Sequence, residues 1–300
     1  MTIYALGFFD GVHIGHQVLL NTCRALASEN GCRAGAVTFA SHPDALVLGH
    51  PPVLINTPAD RKRLLLRQLD TVVTLPFDRH MCATPWEEFL NRLRRENGAA
   101  GFVCGDDFRF GDRGAGNAAL LGEYCRNAGL PWAVVPEQTL DGVRVSSTYI
   151  RQLLEEGQME RANAFLGHPH ILTGPVVSGA HLGRTLGIPT ANLHVDAGLA
   201  VPRFGVYACQ AVVEGVRFCA VTNVGTRPTV DGSGVTVEPW ILDFSGDLYG
   251  REITLEFYKF LRPERKFASL DALQAAVRAN AEETRAFFAA RPEFQVILNQ

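Results

Sequence analysis

Short apolar runs alternate with stretches of helical periodicity through the first half of the chain. The apolar runs predict strands, and the stretches with apolar residues three or four apart predict helices. This alternation predicts an α/β unit, in which a parallel sheet has helices on both faces. The predicted strands are 3–8, 34–39, 71–75, 102–104 and 132–135, and the predicted helices are 16–27, 61–69, 86–93, 118–127, 148–156 and 159–166.

The second half has a different pattern, in which short β-branched or aromatic runs are separated by Gly, Pro and Asp. Such runs predict a small antiparallel barrel. An Ala-rich segment, 270–288, predicts a C-terminal helix that packs on this barrel. The change of pattern predicts two domains, 1–168 and 169–300, which suits a length of 300 residues. The predicted barrel strands are 171–177, 206–213, 218–222, 235–242 and 253–257.

Composition argues against several classes of protein. The net charge of −3 argues against a general nucleic-acid binder, and the lack of any apolar run of about 18 residues argues against a membrane helix. Seven cysteines without a CxxC pair indicate reduced thiols, and the first residues lack the basic start of a secretory signal. We therefore expect a cytoplasmic protein. None of the three lysines follows a glycine, which excludes a Walker A loop for ATP.

A turn that carries two histidines follows the first predicted strand and opens the first helix. Residues 7–16 read GFFDGVHIGH, so His13 and His16 are separated by three positions, with Gly15 between them. Ligands of open α/β sheets bind at this edge, where helix N-terminal amides attract phosphate. Two imidazoles here can donate hydrogen bonds to a triphosphate and stabilise an in-line transition state. The alternatives are a zinc site and a plain structural turn.

Two further segments contain residue types that suit a nucleotide. Residues 144–151 read RVSSTYIR, which places hydroxyls and two arginines at a predicted helix start. Such a helix start either binds an anion or is simply capped by its own side chains. Residues 105–111 read GDDFRFG and follow a predicted strand, so they either contact a nucleotide or form a surface turn.

These three segments, in this order, resemble the N-terminal FMN adenylyltransferase module of bifunctional riboflavin kinase/FAD synthetases, a group of HxGH nucleotidylyltransferases. The resemblance implies a Rossmann-like domain that transfers AMP from ATP to FMN and releases pyrophosphate, with His13 and His16 as catalytic residues. At 40–43, ASHP stands where the family usually has Asp-Pro before His-Pro, on the FMN side of the site. The implied ATP ligands are Gly7, Phe8, Asp10, Gly15, Asp107, Arg144, Ser147, Thr148 and Arg151.

A glycine-rich segment of the second half suits a second phosphate site. Residues 174–193 read GPVVSGAHLGRTLGIPTANL, and the glycines leave backbone amides free to cradle phosphates. Thr190 and Asn192 alternate in an extended segment, so both side chains point to one face. Their oxygens suit Mg²⁺ that is shared with ATP. A glycine-rich barrel loop with turn-forming residues is the alternative.

Read whole, this segment resembles the PTAN motif of riboflavin kinases, and the likeness continues through most of the second half. The resemblance implies a six-stranded Greek-key barrel that transfers the γ-phosphoryl group of ATP to the riboflavin 5′-hydroxyl. It implies phosphate ligands at Gly179, Gly183, Arg184 and Gly187, metal ligands at Thr190 and Asn192, and flavin contacts at Arg262 and Phe267.

Glu238 matches the catalytic base of that family. A carboxylate within reach of the alcohol can accept its proton as phosphorus is attacked. Pro239 and Trp240 follow it, which departs from the family pattern. Because proline lacks a backbone N–H, we expect this strand to be an edge strand or to be bulged.

The two resemblances together imply a bifunctional enzyme whose substrates are riboflavin, FMN and ATP, with Mg²⁺ bound to ATP. We expect no nucleic-acid or membrane partner, and a monomer or a weak homo-oligomer. One alternative is a flavin- or nucleotide-binding regulator with idle sites, and another is an HxGH enzyme for a different acceptor. The attached barrel with its PTAN segment disfavours a different acceptor, and the intact His13, His16, Thr190, Asn192 and Glu238 disfavour a regulator.

Overall fold

The computed structural model describes residues 1–47, 49–50, 52–178, 187–229 and 232–294. The chain divides into two compact units, Met1–Tyr149 and Ile150–Gln300. The domain boundary predicted after residue 168 stays a prediction. Among the described residues, no helix is both long and apolar enough to cross a membrane.

The first unit is built on a five-stranded parallel sheet with the strand order β3-β2-β1-β4-β7, as the alternating pattern predicted. The strands of this unit are β1 (Thr2–Leu6), β2 (Arg33–Phe39), β3 (Thr71–Leu75), β4 (Ala99–Gly105), β5 (Arg109–Phe110), β6 (Gly116–Asn117), β7 (Trp132–Val135), β8 (Thr139–Leu140) and β9 (Val143–Arg144). The helices are α1 (Ile14–Glu29), α2 (Pro43–Val47), α3 (Pro58–Leu66), α4 (Arg79–Cys82), α5 (Trp86–Asn97) and α6 (Ala118–Ala128), and α7 (Ser147–Glu156) begins at its end.

The central strand β1 is buried along its whole length, and its two faces support different helices. Tyr4 and Leu6 share a core cluster with Phe89 of α5 and Leu121 of α6. The residues between them point to the opposite face because side chains alternate along a strand. Helix α1 packs against β1 and β2. This core places the carboxyl ends of β1, β2 and β4 side by side at one edge of the sheet.

The second unit is a closed six-stranded antiparallel barrel with the strand order β10-β11-β14-β13-β12-β15. Each strand of the ring pairs with a neighbour on both sides, as the resemblance to riboflavin kinases implied. Its strands are β10 (His170–Val177), β11 (Asn192–Leu193), β12 (Gly205–Val213), β13 (Val216–Thr229), β14 (Gly232–Ile241) and β15 (Glu252–Arg262), and its helices are α8 (Met159–Leu166) and α9 (Leu270–Ala289).

Two helices cover the barrel from outside. Helix α8 packs against β10 and β15, and α9 packs against β12 and β13. Phe287 and Phe288 of α9 form a cluster with Ala208 and Tyr258. The expected packing of a C-terminal helix on the barrel is confirmed.

Strand β13 is much longer than the predicted 218–222. It begins after a two-residue turn at Glu214 and Gly215, whose positive φ angles of 51° and 84° suit the twist of a hairpin. It then continues through NVGTRPT, which contains so many turn-forming residues that it looks like a loop in the sequence. Pairing with β14 along its whole length keeps this polar segment extended, and β12 pairs with its first two residues, Asn223 and Val224.

The expectation that the Pro239 strand is an edge or bulged is wrong. β14 lies between β11 and β13, and its register with β13 runs unbroken from Ile241 to Gly232. The Pro239 carbonyl accepts a hydrogen bond from the Ala191 N–H at 2.9 Å. The N–H that proline lacks would point to the same side, toward β11, which is only two residues long. The barrel therefore tolerates proline where the ladder is shortest.

We predict that acid destabilises the second unit through His170. This side chain is fully buried at the start of β10, and burial, together with nearby His168, lowers its pKa from 6.5 to about 3. Between these two values the unfolded chain binds a proton that the folded chain does not, so the unfolding free energy falls as pH falls. The expected slope from this group is about 1.4 kcal/mol per pH unit.

Urea unfolding followed by Trp240 fluorescence measures this slope when Trp86 and Trp132 are replaced by Phe. His170→Gln should reduce the slope of the unfolding free energy against pH by about 1.4 kcal/mol per pH unit between pH 6 and pH 4. An unchanged slope in the variant would contradict this assignment.

Candidate active sites

A strained turn joins β1 to α1 at the ligand edge of the parallel sheet. Phe9, Gly11 and Val12 have φ angles of 62°, 78° and 40°. A β-branched residue such as Val12 rarely adopts this left-handed region, and strain of this kind concentrates at functional sites. A Cβ at Gly7 would lie 2.9 Å from the Phe9 ring, so glycine is required there.

This turn brings the two histidines of the HIGH segment face to face. The rings of His13 and His16 stack with centroids 3.6 Å apart and planes 12° apart. His13 is also the N-cap of α1, where its Nδ1 accepts the backbone N–H of His16 at 3.3 Å. In a neutral ring that accepts at Nδ1, the proton is on Nε2. His13 therefore presents Nε2–H as a donor.

His16 is held as a neutral ring. Burial lowers its pKa well below 6.5, and the charge of His13 lowers it further. Its Nδ1 is buried and has no hydrogen-bond partner among the described residues. The Phe9 ring packs edge-on against it at 5.3 Å. A neutral His16 ring can donate a hydrogen bond to a polyphosphate, and the stack does not place two positive charges side by side.

Gly15 makes room for this stack. A Cβ at residue 15 would lie 3.3 Å from Nδ1 and Cε1 of His13, tighter than ordinary van der Waals contact. Any side chain here would press on the ring that faces His16. The glycine that separates the two histidines in sequence therefore permits their contact in space.

Asp10 is turned away from solvent and fastens the turn to the chain segment before α3. Its carboxylate is 3% exposed and accepts the backbone N–H groups of Ile55 at 2.9 Å and Asn56 at 3.4 Å. The side chain of Asp10 therefore stabilises the turn, and the predicted contact with ATP would be made by the Asp10 backbone. Asn56 was not recognised in the sequence, because a single buried amide has no motif.

The start of α7 is fastened to the same turn. The Ser147 hydroxyl donates to the Asp10 carbonyl at 2.9 Å, so the structure brings two of the predicted phosphate segments together. Thr148 is exposed beside it, and Arg151 follows four residues after Ser147 on the same helix. Two helix N-termini therefore meet near one point, as expected for a site that binds a polyphosphate from both.

Arg144 is held by two carboxylates just before α7. Its guanidinium contacts Asp107 at 2.8 Å and Glu137 at 2.5 Å. Asp107 follows β4, so the third predicted segment also converges here. All three side chains are more than two-fifths exposed, so these pairs can exchange for phosphate oxygens at small cost. Among the described residues, no group of three His, Cys, Asp or Glu side chains could hold a metal ion, so the zinc alternative has no ligand set there.

The barrel unit contains a cavity of about 390 Å³ that is lined by four of the predicted kinase residues. These are Thr190, Glu238, Arg262 and Phe267, which come from three separate segments of the chain. The Arg262 guanidinium lies 5.4 Å from the Phe267 ring centroid, and its Nε donates to Asn280 at 3.0 Å. The cavity is concave and largely apolar, with a few polar groups, as small-molecule sites usually are.

Glu238 belongs to a row of polar side chains that crosses three strands. Asn223 of β13 is its register partner in β14, and both line the cavity. On the other side Leu193 pairs with Val237, so the next residues, Asn192 and Glu238, also lie opposite each other. Residues paired across antiparallel strands project to the same face. Thr190 lies just before β11 and lines the same cavity as Glu238 and Asn223.

Sequence analysis assigned no role to Asn223 or Glu264, which both line this cavity. Asn223 donates through Nδ2 to Glu264 at 3.2 Å, which joins β13 to the segment after β15. Their meeting depends on barrel closure, which no local pattern reports. Trp240 lines the cavity and packs against Val206 and Val221, so this departure from the family pattern forms part of its wall.

A second cavity of about 600 Å³ adjoins the row on the side of the glycine-rich segment. Asn192 lines it together with Val177, Ser178 and Val237. Gly187, with a φ of 64°, adopts the left-handed conformation that favours glycine. The other predicted phosphate ligands, Gly179, Gly183 and Arg184, lie outside the described residues.

Each unit therefore contains a site for a nucleotide and an acceptor, which defines a two-domain transferase. The first unit matches the FAD synthetase family model over residues 1–149, and residues 166–288 match the riboflavin kinase family model. The chain belongs to the family of bifunctional riboflavin kinase/FMN adenylyltransferases, and both catalytic domains are present.

Several relatives of that description align along nearly the whole chain. The Listeria monocytogenes protein is 33% identical and covers 96% of this chain and 92% of its own length. The Pseudomonas fluorescens protein is 36% identical, with 96% and 93% covered, and the Escherichia coli K12 protein is 35% identical, with 95% and 92% covered. A crystal structure described as a macrolide-efflux protein from Streptococcus pneumoniae has 30% identity, a TM-score of 0.84, and 95% and 93% covered.

We predict that Gly15→Ala lowers the rate of FAD formation from FMN. The added methyl would displace the His13 ring by a few tenths of an ångström, and because a misplacement of about 1 Å can cost roughly a hundredfold, we expect a loss of up to about tenfold. Alanine has a higher helix propensity than glycine, so this change does not weaken α1 itself. Chromatographic assay of FAD measures the effect, with riboflavin phosphorylation as the control. A variant that forms FAD at the parent rate would contradict the close-packing argument.

Proposed function

We propose that the first unit joins AMP from ATP to FMN at the stacked histidine pair, and that the second unit phosphorylates riboflavin at the Glu238 row. The observation that carries the first assignment is the strained turn that stacks His13 on His16, with the start of α7 fastened to it. The observation that supports the second is the cavity that contains Thr190 and Glu238. FMN made in the second unit is the substrate of the first.

In adenylyl transfer, a phosphate oxygen of FMN attacks the α-phosphorus of ATP. The new P–O bond forms as the bond to the β-phosphate oxygen breaks, and pyrophosphate leaves. His13, through Nε2–H, and His16 donate hydrogen bonds to the phosphate oxygens that gain charge. Arg144, Ser147 and Thr148 bind the polyphosphate, and Arg151 follows on the same helix. No nucleophile from the protein is needed.

In riboflavin phosphorylation, the 5′-hydroxyl of riboflavin attacks the γ-phosphorus of ATP and ADP leaves. Glu238 accepts the hydroxyl proton as the P–O bond forms. Arg262 and Phe267 contact the flavin ring from the cavity wall. The segment that contains Gly187 binds the phosphates of ATP through backbone N–H groups.

Thr190 and Asn192 fit Mg²⁺ bound together with ATP. A hydroxyl and an amide oxygen are hard ligands; Thr190 lines the cavity of Glu238, and Asn192 lies opposite Glu238 in the strand register. The ion neutralises phosphate charge so that an oxygen nucleophile can approach. Two such neutral ligands are too few for a cage made only of protein groups, so the remaining ligands come from ATP and water.

We further propose a domain boundary at 168/169, a cytoplasmic location, and a monomer or weak homo-oligomer. All seven cysteines are free, which suits a reducing compartment.

We predict that single substitutions separate the two activities. His16→Ala removes a donor to the transition state and should lower FAD formation from FMN by roughly a hundredfold or more. Riboflavin phosphorylation by this variant should stay near the parent rate. Asn192→Ala and Glu238→Gln should do the reverse, and loss of a general base costs roughly 10²–10⁴-fold.

Each variant is assayed twice, once with riboflavin and once with FMN supplied. The base assignment is wrong if Glu238→Gln phosphorylates riboflavin at the parent rate. The two-site account fails if folded His16→Ala protein loses both activities.

We predict that both reactions require Mg²⁺ and that the ion comes with ATP. Chelation with EDTA should stop both reactions, and added Mg²⁺ should restore them, because the phosphate charge must be neutralised. Metal analysis after dialysis without nucleotide should find far less than one equivalent. Tight retention of metal under these conditions would contradict the proposal.

A further inference from the structure

Arg61 of α3 is the largest of the fully buried side chains among the described residues, with 1% exposed. Arginine is almost never fully buried unless it is paired. Its Nη2 donates to the Phe39 carbonyl, at the end of β2, at 2.5 Å. Its Nε and Nη1 have no hydrogen-bond partner in the part of the chain that the structure describes. This arrangement indicates that Arg61 does more than fill space in the core.

The guanidinium of Arg61 lies over an aromatic ring of the histidine turn. It lies 4.0 Å from the ring centroid of Phe8, the residue immediately before the left-handed Phe9. The Phe8 ring in turn contacts His42 edge-on at 4.5 Å, and its carbonyl accepts the Thr38 hydroxyl at 2.8 Å. Arg61 therefore clamps the start of the turn onto the end of β2, at the edge of the sheet where ligands bind.

Charge links Arg61 to the same turn a second time. Burial lowers the Arg61 pKa to about 10, and the carboxylate of Asp10 acts in the opposite direction, so the side chain stays protonated at neutral pH. Asp10 accepts hydrogen bonds from Ile55 and Asn56, which lie just before Thr57, the N-cap of α3. The turn thus holds the start of α3, and α3 holds the turn through Arg61.

Stability alone does not account for this arginine. A buried cation with two unpaired nitrogens lowers the stability of the fold, and a well-packed apolar side chain of similar volume usually stabilises it as well or better. A planar cation that stacks on Phe8 and donates to a fixed carbonyl instead defines one geometry.

We propose that Arg61 is a positioning residue for adenylyl transfer, which fixes the Phe8–Val12 turn and so the approach of His13 and His16 to the phosphates. This inference rests on the proposed adenylyl transfer at the histidine pair. It assigns Arg61 no contact with ATP or FMN. Its loss should therefore lower kcat while substrate binding is kept.

The test uses full-length Arg61→Met and Arg61→Lys, with kcat and KM measured for FMN and ATP. Methionine fills space without charge or hydrogen bonds, and should lower kcat for FAD formation about a hundredfold, with each KM within about threefold of the parent. Lysine keeps the charge but lacks the planar face, so kcat for FAD formation in Arg61→Lys should be about tenfold higher than in Arg61→Met. Riboflavin phosphorylation should stay unchanged in both variants.

Arg63→Met is the matched control. Arg63 lies on the same helix, is 45% exposed and pairs with Asp60 at 3.3 Å. It should form FAD at the parent rate.

Three outcomes would overturn the proposal. One is a parent-like kcat in Arg61→Met, and another is a large rise in KM for FMN or ATP with kcat unchanged, which would indicate direct ligand contact. If Arg61→Met does not fold, a parent-like kcat in Arg61→Lys overturns it instead, because charge alone would then suffice. The parent chain separates the claims: if the parent makes no FAD from FMN, the proposed adenylyl transfer fails, and this inference fails with it.

Discussion

The histidine site depends on the hydrogen bonds that the buried carboxylate of Asp10 accepts. Its own β1–α1 turn contains three left-handed residues in four positions, a conformation that persists only when its surroundings enforce it. The backbone N–H groups of Ile55 and Asn56 donate to the side chain, and the Ser147 hydroxyl donates to the Asp10 carbonyl. Because a buried charge is costly unless it is hydrogen-bonded, these partners and the turn require one another. The stacked histidines are a consequence of that arrangement.

The barrel site depends on a different constraint, the closure of the strand ladder. Once the ring of six strands closes, register decides which side chains share a face. Asn223, Glu238 and Asn192 come from three strands, and the pairing sets them in one row. Two cavities adjoin this row, one lined by Glu238 and Asn223 and the other by Asn192. The two units solve related problems, since both must align an oxygen nucleophile with a phosphorus of ATP.

Sequence patterns predicted the elements and the local motifs well, for a physical reason. Helical and alternating periodicities report burial directly, and a motif such as residues 7–16 is contiguous, so its residue types and spacing are visible without the fold. What could not be predicted depends on segments far apart in the chain. Arg61 has no motif, and its burial against Phe8 follows from where α3 packs. Glu264 finds Asn223 only because β15 closes the ring.

The edge-strand expectation for β14 illustrates the same limit. The rule that proline avoids central strands concerns its missing donor, and the cost depends on which neighbour would have received that hydrogen bond. In the barrel that neighbour is the short β11, so the cost is small. Likewise the polar 223–229 segment has the composition of a loop, yet pairing with β14 along its whole length keeps it in β13. Tertiary pairing overrides local preference in both cases.

The central claim is that one chain carries two successive transfers at two separate sites. Its most direct test is a time course in which purified protein is incubated with riboflavin, ATP and Mg²⁺, and the flavins are separated by chromatography. The account predicts that riboflavin declines, that FMN rises and then falls, and that FAD accumulates. Riboflavin that persists unchanged, or FMN that accumulates without any FAD, would contradict it.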